Sequence, residues 1–111
     1  MKKLNRKNCS ILPLVLKGKW YDMIASGEKR EEYRDATLYW QTRIHNWSYM
    51  RSKRVVEFRR GYKKDAPRMW FIANEVFLRG RAHTYTWGEP ESDHYAIALG
   101  ERIKLVDWKE K

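Results

Sequence analysis

One cysteine, Cys9, stands alone in a chain of 111 residues. It cannot form an internal disulfide, and a chain without such bridges fits a reducing cytoplasm. Long apolar runs are missing too. "ILPLVL" (11–16) is short and interrupted by Pro13, whereas a bilayer span needs about 20 apolar residues. A basic start, "MKKLNRKNC", followed by so short a run does not read as a secretory signal. A cytoplasmic protein with no membrane partner is expected. The three histidines, His45, His83 and His94, show no ligand spacing and lie far from Cys9, so no metal is expected. No phosphate-binding loop, dinucleotide fingerprint or nucleophile elbow appears, and no cofactor is expected. Negative charge is scarce as well: 14 Asp+Glu stand against 24 Lys+Arg, for a net charge of +10.

That surplus attracts polyanions, because each phosphate neutralised by Lys or Arg releases condensed counterions. Six Trp and seven Tyr accompany it. Aromatic faces stack on unpaired bases. Composition alone leaves nucleic-acid binding evenly matched with the plainer reading, in which many of the rings form the core and the charge confers solubility. An anionic membrane surface is disfavoured, since no long amphipathic basic helix is visible. A basic face that meets an acidic protein is a further reading.

The length suits one domain, read as 10–111 behind a flexible basic N-terminus at 1–9. "SILPLVLK" (10–17) predicts a strand, at an edge or bulged because of Pro13. Trp20, Met23 and Ile24 mark one helical face, which Gly27 terminates. "EKREEYR" (28–34) predicts a strand with Glu31 and Tyr33 on one side and Arg30, Glu32 and Arg34 on the other. Lys29 falls in the preceding turn, where parity does not decide its direction. Thr37 is an N-cap candidate for a helix presenting Trp40, Ile44 and Trp47. "SYMRSKR" (48–54) reads as a basic loop, 54–62 as a strand, and 69–81 as a strand whose two faces are both largely apolar. The long polar loop 82–93 has the length of functional loops. Residues 94–108 predict two short strands that meet or bend at Gly100. The order implies an α+β fold, with a small closed or partly closed barrel carrying about two helices.

Gly27, Lys29, Glu32 and Arg34 spell G-x-K-x-x-E-x-R. With "LPLVLKGKWYDMIASGEKREEYR" (12–34), "YWQTRI" (39–44), "FRRGY" (58–62) and "YAIALGERI" (95–103), this resembles the ASCH domain family of the PUA-like superfamily. The resemblance implies a PUA-like β-barrel whose cleft lies between barrel mouth and helices. It also implies RNA binding, RNA processing or hydrolysis. A hydrolytic branch, which deacetylates acetylated cytidine, carries K-x-x-T-x-R and a downstream Glu. Here Glu32 stands in place of the Thr. A carboxylate is a poor nucleophile towards amides and acts more naturally as a base for water. Glu75, Glu89 and Glu91 are the candidates for the downstream Glu.

Binding of single-stranded RNA or a nucleoside over Lys29, Glu32 and Arg34 is thus the leading expectation. Lys29 and Glu32 would be catalytic if the cleft were instead that of a hydrolase, acting as an amidohydrolase or a ribonuclease. The expected nucleic-acid contacts are Lys17, Lys19, Lys29, Glu32, Tyr33, Arg34, Tyr39, Arg43, Arg51, Lys53 and Arg54. Arg34 is expected deep in its strand, bracing Glu32, and Lys29 nearer the surface beside Gly27. Trp40 is expected in the core.

Overall fold

The computed structural model describes residues 1–49 and 52–106. In chain order it has β1 (Lys2–Asn5), a 3-10 turn (Arg6–Asn8), β2 (Cys9–Leu16), α1 (Gly18–Ala25), β3 (Glu31–Asp35), α2 (Leu38–Ser48), β4 (Lys53–Arg60), β5 (Arg68–Arg79) and β6 (His94–Val106). Six strands in one mixed sheet with two helices make it α+β. No described helix is long and apolar enough to cross a membrane.

Local chemistry sets the elements. Alternation along β2 buries Leu12, Leu14 and Leu16 and turns Pro13 to solvent. Among the described residues β2 pairs only with β4, in parallel, so Pro13 sits on an edge strand, where a missing amide costs little. α1 buries Tyr21 and Ile24, while Trp20 is only half-buried. The helix ends as expected at Gly27, whose φ of +87° is a conformation that glycine adopts without strain. The amides of Gly27 and Lys29 then bond Ile24 O (3.1 Å) and Met23 O (3.0 Å). Thr37 caps α2 through its side chain, which accepts from Trp40 N at 3.3 Å. α2 buries Ile44 and Trp47, and the Trp47 indole donates to Ser10 O in β2 (2.9 Å). The main core joins these helical residues to Val56, Phe58, Met69, Phe71, Ile97 and Leu99 of the sheet.

β5 resolves why both of its faces read as apolar. Its register with β6 shifts at Phe71/Ala73 and again at Ala73/Glu75. Met69, Phe71 and Ala73 face the core before the irregularity, and Val76 packs on it afterwards. A bulge changes parity, so the core-facing side passes from the odd-numbered residues to Val76, while Leu78 beyond it is exposed. Gly100 lies across from this point, where a Cβ would meet the Asn74 carboxamide. Instead of two short strands, β6 is a single strand of 13 residues that stays paired through the irregularity.

The strand path runs β1-β6-β5-β4-β2, and β3 joins the same edge of β6 that β1 uses. β1 and β2 end the path, yet only the 3-10 turn separates them in the chain. The sheet therefore curls, but it does not close: among the described residues no ladder joins β2 to β1 or β3. Residues 1–9, read as a flexible tail, contain an edge strand in this structure. Parallel backbone pairing with Ile103–Val106 needs no apolar side chains, so composition gave no sign of it. Lys53 belongs to β4 rather than to a loop, and Arg54 lies in β4 as the 54–62 strand expects. Met50 and Arg51 lie outside the described residues.

Nothing lies within 4 Å of a Cβ built on Gly27. Replacing it tests backbone strain alone. Gly27→Ala should lower stability by about 1–2 kcal/mol in urea unfolding, and Gly27→Asn by less.

Candidate binding cleft at the open seam

Where β2 and β3 fail to pair, a cleft of about 330 Å³ opens. Val15–Lys17 form one side and β3 the other. Trp20 comes from α1, Trp40 from α2, and Trp87, Glu89 and Pro90 from the loop between β5 and β6.

Its floor is a charge triad. Glu32 and Arg34 share a side of β3, as alternation requires. Glu32 Oε1 accepts from Lys29 Nζ at 3.1 Å, and Oε2 accepts from Arg34 Nη2 at 2.8 Å. Lys29 Nζ also donates to Glu31 O (2.7 Å). It sits 4.5 Å from the Tyr33 ring centre, 5.5 Å from Trp20 and 5.8 Å from Trp87. Arg34 Nη2 reaches across the seam to Val15 O (3.2 Å), and its guanidinium lies 5.0 Å from the Trp40 ring. The expected depths are reversed. Lys29 is 3% exposed, whereas Arg34 is only partly buried. The Lys29–Met23 backbone bond folds residue 29 back against α1, away from the surface. Arg34 does brace Glu32.

The other side of β3 carries a second network. Arg79 grips Glu31 with two hydrogen bonds (2.9 and 3.0 Å), and Tyr33 donates to the same carboxylate (2.9 Å). Arg79 also donates to Tyr85 Oη (2.9 Å), which lies 2.7 Å from His94 Nε2. His94 is fully buried, with Nδ1 2.7 Å from the Ser92 carbonyl. A carbonyl only accepts, so Nδ1 carries the proton and Nε2 accepts from Tyr85. Burial by itself would raise the Glu31 carboxyl, but the Arg79 and Tyr33 hydrogen bonds outweigh it and hold the group below its ordinary value. Burial first, and then the Glu31 contact, push the Tyr33 phenol far above the ordinary range. The chain thereby pins the loop that carries Trp87 and Glu89.

The structure gathers some of the expected contacts and separates others. Lys17, Lys29, Glu32, Tyr33 and Arg34 line the cleft. Lys19 lies 4.6 Å over Trp20. Tyr39 and Arg43 flank Trp40 on α2. Trp40 packs partly on the core, but it also walls the cleft. Lys53 and Arg54 pair with Cys9 and Ser10, at the far end of β2 from Val15–Lys17. At a rise of about 3.3 Å per residue they are some 15–20 Å from the cleft. Arg51 lies outside the described residues. Of the three acidic candidates, Glu89 lines the cleft and Glu75 and Glu91 do not. Trp20, Trp87, Arg79, Tyr85 and His94 were not foreseen as site residues. The length of loop 82–93 was the one signal for Trp87. His94, a lone histidine opening an apolar strand, offered none.

Two features describe the cleft chemically. Its lining is charge-balanced: Lys17, Lys29 and Arg34 against Glu32, Asp35 and Glu89. The surplus of +10 therefore lies elsewhere on the chain. Arg34 Nε and Trp87 Nε1, on two lining residues, are buried N–H donors with no partner among the described residues. Comparison with known proteins finds no family model, no curated protein and no solved structure that matches the chain.

Lys29→Ala strands one oxygen of a buried carboxylate while Arg34 still holds the other. It should destabilise by roughly 3 kcal/mol in urea unfolding, the low end for a broken buried pair. Lys29→Met, which keeps the stem among the rings, should cost less. Acid should act through Glu31. Its lowered folded-state value means that its stabilisation is present above the ordinary carboxyl range near pH ~4.3 and lost as pH falls through the folded value. Glu31→Gln should melt lower than wild type at pH 7, and the gap should narrow in acid melts.

Proposed function

We propose that the protein is an ASCH-like domain that binds RNA by taking one unpaired base, or a free nucleoside, into the cleft over Lys29, Glu32 and Arg34. The curled sheet, whose terminal strands are separated by a three-residue turn, supports the PUA-like barrel that this reading requires. One observation carries the ligand class: three tryptophans and a tyrosine wall a charge-balanced cleft, and two of its lining residues, Arg34 and Trp87, each carry a buried N–H donor without a partner among the described residues. Flat rings offer stacking, and the donors suit the ring nitrogens and carbonyls of a base. A volume of about 330 Å³ lies at the low end of the ~300–1,000 Å³ typical of small-molecule sites. It suits one nucleoside and not a duplex. A cytoplasmic RNA is the partner in this reading.

Binding is favoured over hydrolysis by the state of the triad. Both Glu32 oxygens already accept charge-assisted bonds, so the carboxylate is engaged on both sides before any water arrives. Lys29 is engaged by a carbonyl and a carboxylate. A second reading, a hydrolase acting on a modified nucleoside, rests on Glu89, a carboxylate that lines the cleft and has no ion-pair partner among the described residues.

Calorimetric titration with the four ribonucleosides tests the first reading. At least one should bind, and Trp87→Phe, which keeps a ring but deletes the indole N–H, should weaken it about ten-fold, equivalent to one hydrogen bond. Unchanged affinity in Trp87→Phe would sink this role for the cleft. Incubation with acetylated cytidine should leave it intact. Turnover that disappears in Glu89→Gln would establish the hydrolase instead.

A further inference from the structure

We infer that the cleft receives one residue of a chain, and that Tyr39 and Arg43 on α2 form an outer platform for the adjoining nucleotide; this rests on the base-pocket reading above. The Thr37 cap starts α2 beside the seam and commits Trp40 to the cleft wall. Its neighbour Tyr39 stands 5.0 Å away, with its ring at 88° to the Trp40 ring. Arg43 follows one helical turn later, with its guanidinium 5.2 Å from the Tyr39 ring and 5.9 Å from Trp40. Arg34 covers Trp40 from the cleft floor at 5.0 Å. Alternating cations and rings thus lead from the floor of the cleft to the surface of α2.

Folding does not require the outer part. Tyr39 is 61% exposed. Neither the Tyr39 nor the Arg43 side chain forms a hydrogen bond or ion pair with a described residue. Together they present an exposed aromatic face with a cation beside it, the combination that holds an unpaired base and its phosphate. Charge points the same way. Inside the cleft each cation is matched by a carboxylate, so a phosphate leaving it finds no spare charge there. Arg43, just outside, supplies one. The two ring centres are 5.0 Å apart, so a base held against one ring adjoins a nucleotide held against the other.

The test compares nucleosides with dinucleotides. Wild type, Tyr39→Ala, Tyr39→Phe and Arg43→Ala are titrated with the four ribonucleosides and the four homodinucleoside monophosphates, after melts confirm equal stability. At least one dinucleotide should bind wild type about ten-fold tighter than its nucleoside, the gain from one stacked base. Tyr39→Ala should abolish that gain and leave nucleoside affinity unchanged. Tyr39→Phe should retain it. Arg43→Ala should reduce both the gain and its salt dependence. A dinucleotide no tighter than its nucleoside overturns the platform, as does a Tyr39→Ala protein that weakens both ligands equally. Tyr39-dependent dinucleotide binding without nucleoside binding would sustain the platform and sink the base pocket. Binding of neither overturns both.

Discussion

A buried carboxylate clamped between two cations governs this molecule. Glu32 accepts from Lys29 on one oxygen and from Arg34 on the other, at a depth where unpaired ions cost several kcal/mol each. The clamp is tolerable because nearly every polar end is occupied. Lys29 adds a carbonyl and three ring faces, and Arg34 adds the Val15 carbonyl. Arg34 occupies the place where a ladder between β3 and β2 would run. A side chain bonds across the seam there, where among the described residues no ladder joins β2 to β3.

β3 serves two purposes by alternation alone. One face supplies the clamp. The other supplies Glu31 and Tyr33 to a network that reaches Arg79, Tyr85 and His94. That network fixes the loop bearing Trp87 and Glu89, so the far wall of the cleft is tied to the same five-residue strand as its floor. Stability and site are therefore not separable here. The same charges that would read a ligand hold the junction of α1 with the sheet.

Much of this was legible because it is local. Gly27 and Thr37 announce a helix end and a helix start through backbone geometry confined to a few residues. Pro13 restricts its strand to an edge or a bulge, and the sheet places it at an edge. Alternation sorts Glu32 and Arg34 from Glu31 and Tyr33. Other features depend on partners distant in the chain. The parity of β5 flips at a bulge created by its fit to β6. β1 is a strand only because β6 offers it an edge. His94 and Tyr85 find each other because loop 82–93 folds back.

The sequence by itself determined the α+β order, the helix boundaries, the sides of β3 and the excess of positive charge. Each follows from propensity, period or composition, which act over a few residues or over none in particular. Only the tertiary structure decided that Lys29 is buried and Arg34 more accessible, and that Lys53 and Arg54 lie far from the cleft. It alone set Trp20, Trp40 and Trp87 around one opening and balanced the charges within it. These outcomes depend on which strand edges meet and which do not. Pairing is set by packing of the whole sheet, and no local stretch of residues encodes it.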